Sequence, residues 1–319
     1  MSDNKKIKLI AIYMYISELY RVLRTQYKYE IELQYTCQRF SNNFLPEFTD
    51  QELMTIYLFA VTEERRFQIK EIHEFANNYL RSWFPKLPSY QAFNNRLNRL
   101  SEAFKTLAIG LFTCHVPEDC DLSTSLVDSL PIITCKGRNR KAKVAREIVD
   151  KGWCSTKNLF YYGLKLHLLG FRRQGTIPFP ELIGITAASE NDLTAFRELF
   201  GDIVRNRVIW GDKIYIDHEY FEKKWKEQNV QMLTPVKLVK GEAECVRQRE
   251  KAYLYFVRST KYRDLYSAHV SKFRQPIESF FNWLNEKTKI QEAQKVRSKN
   301  GLYVHVFGKI AAALLYLIF

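Results

Sequence analysis

Asp128, Asp212 and Glu278 are the acids of this sequence best placed to do chemistry. Asp128 sits in Leu126-Val-Asp-Ser-Leu-Pro131, and Asp212 in Val208-Ile-Trp-Gly-Asp-Lys-Ile-Tyr215, each after an apolar, β-branched run. Glu278 falls in Phe273-Arg-Gln-Pro-Ile-Glu-Ser-Phe-Phe281, where apolar residues recur at helical spacing. Either aspartate alone reads as a turn residue at a strand end, and a lone helical Glu as a solvated one. Two strands and a helix that deliver all three to one point would instead make a hard oxygen site. Mg²⁺ prefers oxygen ligands and is often held by few carboxylates, with water and phosphate oxygens completing its shell. Two such ions about 3.5–4 Å apart can activate the attacking oxygen and stabilise the leaving oxygen of an in-line displacement at phosphorus. Gly211, just before Asp212, ends its strand and permits close approach of backbone or substrate.

The elements that must position these acids follow from hydrophobic period. Residues up to about 115 read as nearly all helix. Ile7 to Leu23 is apolar on one face, and Thr49-Asp-Gln-Glu52 has the form of a capping box opening a second helix. A third helix runs on Ile69, Ile72, Phe75, Ala76, Tyr79 and Leu80 to the turn Pro85-Lys-Leu-Pro88. Ser89 is the N-cap of a fourth, which buries Phe93, Leu97, Leu100, Phe104 and Leu107 and turns Gln91, Asn94, Asn95, Arg96, Asn98 and Arg99 outward. Amide and guanidinium groups read adenine and guanine edges in a major groove, so Asn95, Arg96 and Arg99 are candidates for DNA contact, against the plain alternative of a solvated face.

After Pro117 the pattern becomes β-rich. Strands are expected at Leu122 to Leu130, Phe160 to Leu169 and Glu181 to Ala187, then a helix from Asp192 to Phe200 and a strand from Arg207 to Gly211. A helix from His218 to Gln228, a short strand from Gln231 to Pro235 and a helix from about Ser271 complete the order. This is the element order of an α/β ribonuclease H-like domain, a mixed sheet with flanking helices, preceded by an all-α N-terminal domain. The expected division is a helical DNA-binding domain at 1–115 and a catalytic domain at 116–319. In that fold the first and fourth strands lie side by side, so acids at their ends share one site.

Composition bounds the partners. Forty-nine Lys and Arg against thirty-five Asp and Glu leave a net charge of +14 in 319 residues, which points to a polyanion, nucleic acid before an anionic membrane surface. Between Lys136 and Arg173 there are eleven basic residues and two acids, Glu147 and Asp150. Lys136, Arg138, Arg140, Lys141 and Lys143 are therefore candidates for neutralising DNA phosphates, with salt-sensitive affinity. The apolar C-terminal run Ile310 to Phe319 is too short for the roughly 20 residues of a membrane span and should be a core helix. The N-terminus lacks the succession of a secretion signal, so a cytoplasmic protein with no membrane partner is expected. Cys37, Cys114, Cys120, Cys135, Cys154 and Cys245 form no CxxC pair and are expected as free thiols; Cys114, His115 and Cys120 lack a second ligand pair for zinc.

The motifs together make the chain similar to bacterial insertion-sequence transposases of the DDE class. The resemblance runs from Phe48-Thr-Asp50 through Tyr90-Gln-Ala-Phe93 to the C-terminus. Its most specific parts are Val127-Asp-Ser129, Tyr162-Gly-Leu-Lys-Leu-His167, Gly211-Asp-Lys213 with Tyr215, and Arg274-Gln-Pro-Ile-Glu278. It implies that Asp128, Asp212 and Glu278 form a catalytic triad holding two Mg²⁺ ions, with Mn²⁺ able to substitute. It also implies that Arg274 and Lys213 contact DNA phosphate, Lys213 having the alternative of pairing with a nearby acid. The partners implied are double-stranded DNA, as element ends and target, and a second copy in a homodimer assembled on DNA, in a bacterial, nucleoid-associated protein. The chain departs from one branch of the class, with Ser271 and Asn285 where that branch has Tyr and Lys, and it has Asn191-Asp192 where many relatives have His-Asp. His167 is read as a packed or hydrogen-bonding histidine. A ribonuclease H-like nuclease without strand transfer and a non-catalytic, transposase-derived DNA-binding protein are the competing readings.

Overall fold

The computed structural model describes residues 1–26, 47–137, 144–154, 157–236 and 254–318. Cys37, Arg138, Arg140, Lys141, Lys143, Cys245 and Phe319, all named above, lie outside the described residues. In chain order the helices and strands are α1 (Asp3–Gln26), α2 (Asp50–Thr62), α3 (Ile69–Tyr79), α4 (Tyr90–Arg99), α5 (Ser101–Cys114), β1 (Cys120–Lys136), β2 (Asp150–Cys154), β3 (Leu159–Arg173), β4 (Phe179–Ala187), α6 (Asp192–Leu199), β5 (Arg207–Trp210), α7 (His218–Gln228), β6 (Val230–Leu233), α8 (Leu254–Thr288) and α9 (Lys299–Ile318). They pack as two compact units, neither made of one continuous segment. One gathers Met1–His115, Ile132–Gly163 and Trp283–Phe319, the other Val116–Pro131 and Leu164–Asn282.

The first unit is built round α2, whose residues from Leu53 to Thr62 are all buried. A helix apolar on every side belongs in the middle of a bundle, and α1, α3 and α9 pack against it. Its start is held by the expected capping box: Glu52 N donates to Thr49 Oγ1 at 3.2 Å, and Thr49 N to Glu52 Oε2 at 2.5 Å. Such a cap stabilises by about 1 kcal/mol. The helix expected across Phe93 to Leu107 is divided at Leu100, where φ −88° and ψ 18° leave the helical range, and Ser101 opens α5. All five apolar residues named for it are nonetheless buried. The C-terminal run is a core helix: α9 is long and apolar enough to cross a membrane, yet it is mostly buried against α5 and α2.

A strand unforeseen in the sequence, β2, pairs antiparallel with the first part of β3, from Asp150 opposite Gly163 to Cys154 opposite Leu159. Gly163 is fixed by sterics. A Cβ there would stand 1.8 Å from the carbonyl oxygen of Ile132 on β1, a backbone atom with nowhere to retreat.

The second unit carries the expected mixed sheet with strand order β4-β3-β1-β5-β6. β3 and β4 are antiparallel, whereas β1, β5 and β6 run parallel. The first and fourth expected strands, β1 and β5, are indeed neighbours. Val127, Leu169 and Ile209 point from one face into a core closed by Phe196, Phe200, Phe221 and Tyr215. On the opposite face the ring of Trp210 stacks on Phe273 of α8 at 4.2 Å. Helices therefore flank the sheet on both sides, and α8 begins seventeen residues before the expected Ser271.

Replacing Gly163 by Ala should cost on the order of 3 kcal/mol or more, beyond the usual cost of overpacking because backbone rather than a side chain must move. Urea denaturation of the purified variant measures this, and a loss under ~1 kcal/mol would show that β1 and β3 can part at this point.

Candidate active site

Register positions the two aspartates. The parallel pairing of β1 with β5 ends at Leu126 opposite Trp210. Asp128 and Asp212 each lie two residues further along, so they are level with one another, and period-two alternation places them on the Trp210 face, toward α8. β1 itself runs on to Lys136, which puts Asp128 within a strand rather than at its expected end. Val127 and Gly211, one residue before each acid, point the other way. A Cβ on Gly211 would meet Val127 Cγ1 at 3.1 Å and Tyr215 Cδ2 at 2.9 Å. The close approach expected of Gly211 is thus made by protein side chains.

From α8 comes a cation. Arg274 Nη1 donates to Asp128 Oδ2 at 2.8 Å, and Nη2 donates to Glu278 Oε1 one turn along the helix. Arg274 is largely buried, Asp128 partly so, and Glu278 is exposed. Asp128 Oδ1 accepts from the Ser129 amide at 2.8 Å, and Asp212 Oδ1 from the Lys213 amide at 2.7 Å. Burial pushes the Asp128 carboxyl up to about 6 despite the Arg274 guanidinium, and the charges of Asp212 and Asp192 push the same way. Pro276, lacking an N–H, removes one backbone hydrogen bond from α8 two residues before Glu278.

Asp192 and Tyr215 complete this neighbourhood, and neither was singled out as a site residue from sequence. Asp192 opens α6 and accepts from Lys165 Nζ at 3.0 Å, the same amine donating to the Glu190 carbonyl at 2.7 Å. Its signal was position, the first helical residue after β4. Tyr215 is fully buried, its hydroxyl has no hydrogen-bond partner among the described residues, and the charges of Asp128, Asp192, Arg274 and Asp212 all act on it. Desolvation first, then the three acids, raise it far above the usual phenol range. His167 is buried beside Thr186 Oγ1 at 2.8 Å, and burial pushes it down to about 4, so the ring is neutral.

The residues named for DNA contact divide by exposure. Lys136, Lys213, Asn95 and Arg99 are exposed. Arg96 is not turned outward as expected: Nη2 donates to Asp50 Oδ1 and Nη1 to the Phe48 carbonyl, each at 2.5 Å. Its guanidinium ties α4 to the start of α2, because Asp50 is a buried carboxylate that needs a counter-charge. Arg274 is likewise committed to carboxylates.

Residues 119–315, well over half of the chain, match the family model of the transposase DDE domain. The chain belongs to this family. No curated protein and no solved structure gives a significant match. DDE transposases generally work with divalent metal ions. The donors here suit such an ion chemically: all are carboxylate oxygens, and one is raised by burial despite the guanidinium beside it. Among the described residues, however, no three acid, His or Cys side chains stand together as a closed ligand set. Arg274 occupies the space between Asp128 and Glu278.

The raised carboxyl sets a pH dependence of stability. Its folded pKa of about 6 exceeds its ordinary value of 3.8, so the folded state holds the extra proton between them and loses stability as pH rises through that window. Asp128→Asn carries no such penalty. The metal-free variant should be more stable than wild type at pH 8, by up to ~3 kcal/mol, and the difference should vanish near pH 4. Thermal melts across pH test the sign. Added Mg²⁺ should raise the wild-type melting temperature and leave the variant unmoved.

Proposed function

We propose that this protein is a DNA transposase that binds the terminal inverted repeats of its own insertion sequence, hydrolyses phosphodiester bonds there and joins the freed 3′-OH to target DNA. The observation that carries this reading is the placement of Asp128 on β1 and of Asp212 just past the end of the adjacent parallel β5, with Arg274 of α8 bridging Asp128 to Glu278, in a chain of the DDE family.

Asp128, Asp212 and Glu278 would hold Mg²⁺, with Mn²⁺ able to substitute; bound there, the ions supply nucleophile activation and charge neutralisation at the phosphorus. Arg274 keeps the carboxylates compensated beforehand and is placed to take a phosphate oxygen once they have another cation, since guanidinium suits both acceptors. Lys213, exposed beside Asp212, is a second phosphate contact. Tyr215 offers a hydroxyl to orient a carboxylate or a water from below, and its buried surroundings keep it protonated. Asp192, largely buried and paired with Lys165, stands behind the triad as a structural acid rather than a ligand. The helical segment at 1–115 would serve as the DNA-binding domain, with Asn95 and Arg99 offering base contacts. Arg96 joins that set only if Asp50 releases it. Lys136, Arg138, Arg140, Lys141 and Lys143 would provide phosphate contacts. Strand transfer at two ends suits a homodimer assembled on DNA, in a cytoplasmic, nucleoid-associated protein.

Asp128→Asn, Asp212→Asn and Glu278→Gln should each abolish Mg²⁺-dependent nicking of element-end DNA while changing gel-shift affinity little, because each removes one charge with hardly any change of shape. Normal nicking by any of them removes that residue from the triad. Cleaved ends with no joined product from the wild type would point instead to a nuclease.

Replacing Arg138, Arg140 and Lys141 by Ala should weaken binding to all DNA and flatten the salt dependence by about 0.9 per lost phosphate contact. Replacing Asn95 and Arg99 should lower the preference for element ends over random DNA, since base contacts discriminate where phosphate contacts only position. An equal loss on both DNAs in both variants would take recognition away from α4.

A further inference from the structure

The β2–β3 hairpin carries two large aromatic rings on its solvent face. Trp153 and Phe160 are directly opposed in the antiparallel register, so both side chains project to the same side. Their alternation partners on β2, Gly152 and Cys154, are buried, whereas Trp153 is 47% and Phe160 54% exposed. The ring centroids lie 4.6 Å apart with planes inclined at 60°. Neither ring covers the other face to face. Lys151 lies two residues before Trp153, and its Nζ stands 5.0 Å over the Phe160 ring. Lys136 is exposed at the end of the neighbouring β1, where Gly137 N donates to the Phe160 carbonyl at 2.7 Å. Exposed Lys157, three residues before Phe160, donates to Gln291 Oε1 at 2.9 Å.

A cross-strand aromatic pair stabilises a hairpin by well under the cost of leaving two such rings half in water. Exposed aromatic faces rimmed by ammonium groups are the chemistry that takes unstacked nucleobases: rings accept the base plane and cations accept the flanking phosphates. A paired duplex would need only the lysines, since its base faces are already covered by their neighbours. We infer that Trp153 and Phe160 form a stacking platform for an unpaired nucleobase at a DNA strand end. This rests on the transposase reading and adds to it a second contact surface, one that belongs to the other compact unit from the acids.

The test uses the full chain and fluorescence anisotropy with three labelled probes. These are a blunt duplex, the same duplex with a three-nucleotide 3′ extension, and that extended duplex with abasic residues in the extension. The wild type should bind the extended duplex more tightly than its abasic counterpart, which has equal charge. Trp153→Ala and Phe160→Ala should each weaken binding to the extended duplex about tenfold, erase that preference and leave blunt-duplex affinity within about twofold. Trp153→Phe should keep most of the preference. Thermal melts accompany each variant, and Trp153→Leu and Phe160→Leu, which keep the strand apolar, replace any Ala variant that does not fold. Equal affinity of the wild type for the extended and abasic probes overturns the platform while leaving duplex binding intact. So does an equal loss on all three probes, or a change of sedimentation coefficient in the variants, which would mark the pair as a protein–protein contact. Absence of binding to any probe would instead overturn the transposase reading together with this one.

Discussion

The parallel pairing of β1 with β5 is the constraint on which the rest of the candidate site depends. It ends with Leu126 opposite Trp210, and that register alone makes Asp128 and Asp212 level and aims them at the same helix. Burial is the chief cost for the Asp128 carboxylate, and the charges of Asp212 and Asp192 add to it. The protein meets this cost with Arg274, whose guanidinium engages Asp128 and Glu278. One cation falls short of balancing burial, for the Asp128 carboxyl stays at about 6. A site so composed is stabilised by further positive charge, which is what a divalent ion and a repositioned guanidinium would provide.

Behind the acids the packing is rigid for a reason visible at single atoms. Val127, Gly211 and Tyr215 meet closely enough that a Cβ on Gly211 would clash with Tyr215 at 2.9 Å and crowd Val127 at 3.1 Å. The backbone of both acid-bearing strands is thereby held from the core side. Tyr215 is fully buried with its hydroxyl unpartnered among the described residues, a cost of about 1–3 kcal/mol in an ordinary core. The charges of Asp128, Asp192 and Asp212 act on it there.

In the helical unit, the same electrostatic rule corrects a reading of sequence. Arg96 has the spacing of a solvated face, yet its guanidinium serves the buried Asp50 and the Phe48 carbonyl. Asp50 is the first residue of α2, one after the capping Thr49, so the helix that forms the centre of the unit is braced at its start by a residue forty-six positions away. Asn95 and Arg99 stay exposed. Helical spacing distinguishes faces but cannot tell which outward-looking cation has a buried acid waiting.

Local patterns determined a great deal by themselves. The apolar, β-branched runs before Asp128 and Asp212, the capping box at Thr49, the Ser89 cap and the His218–Gln228 helix are short-range consequences of residue type, and each was legible because its physical cause lies within a few positions. The element order sufficed to expect β1 beside β5. Tertiary structure decided what depends on partners far apart in sequence. It set the register that levels the two acids, the bridge from Arg274 across to Asp128, the inward commitment of Arg96, the membership of Asp192 and Tyr215 in the acid cluster, and the β2 strand. Lys151-Gly-Trp-Cys is too short and too mixed to announce a strand. It becomes one only because β3 offers a free edge for its backbone hydrogen bonds, and no property of the segment alone records that edge.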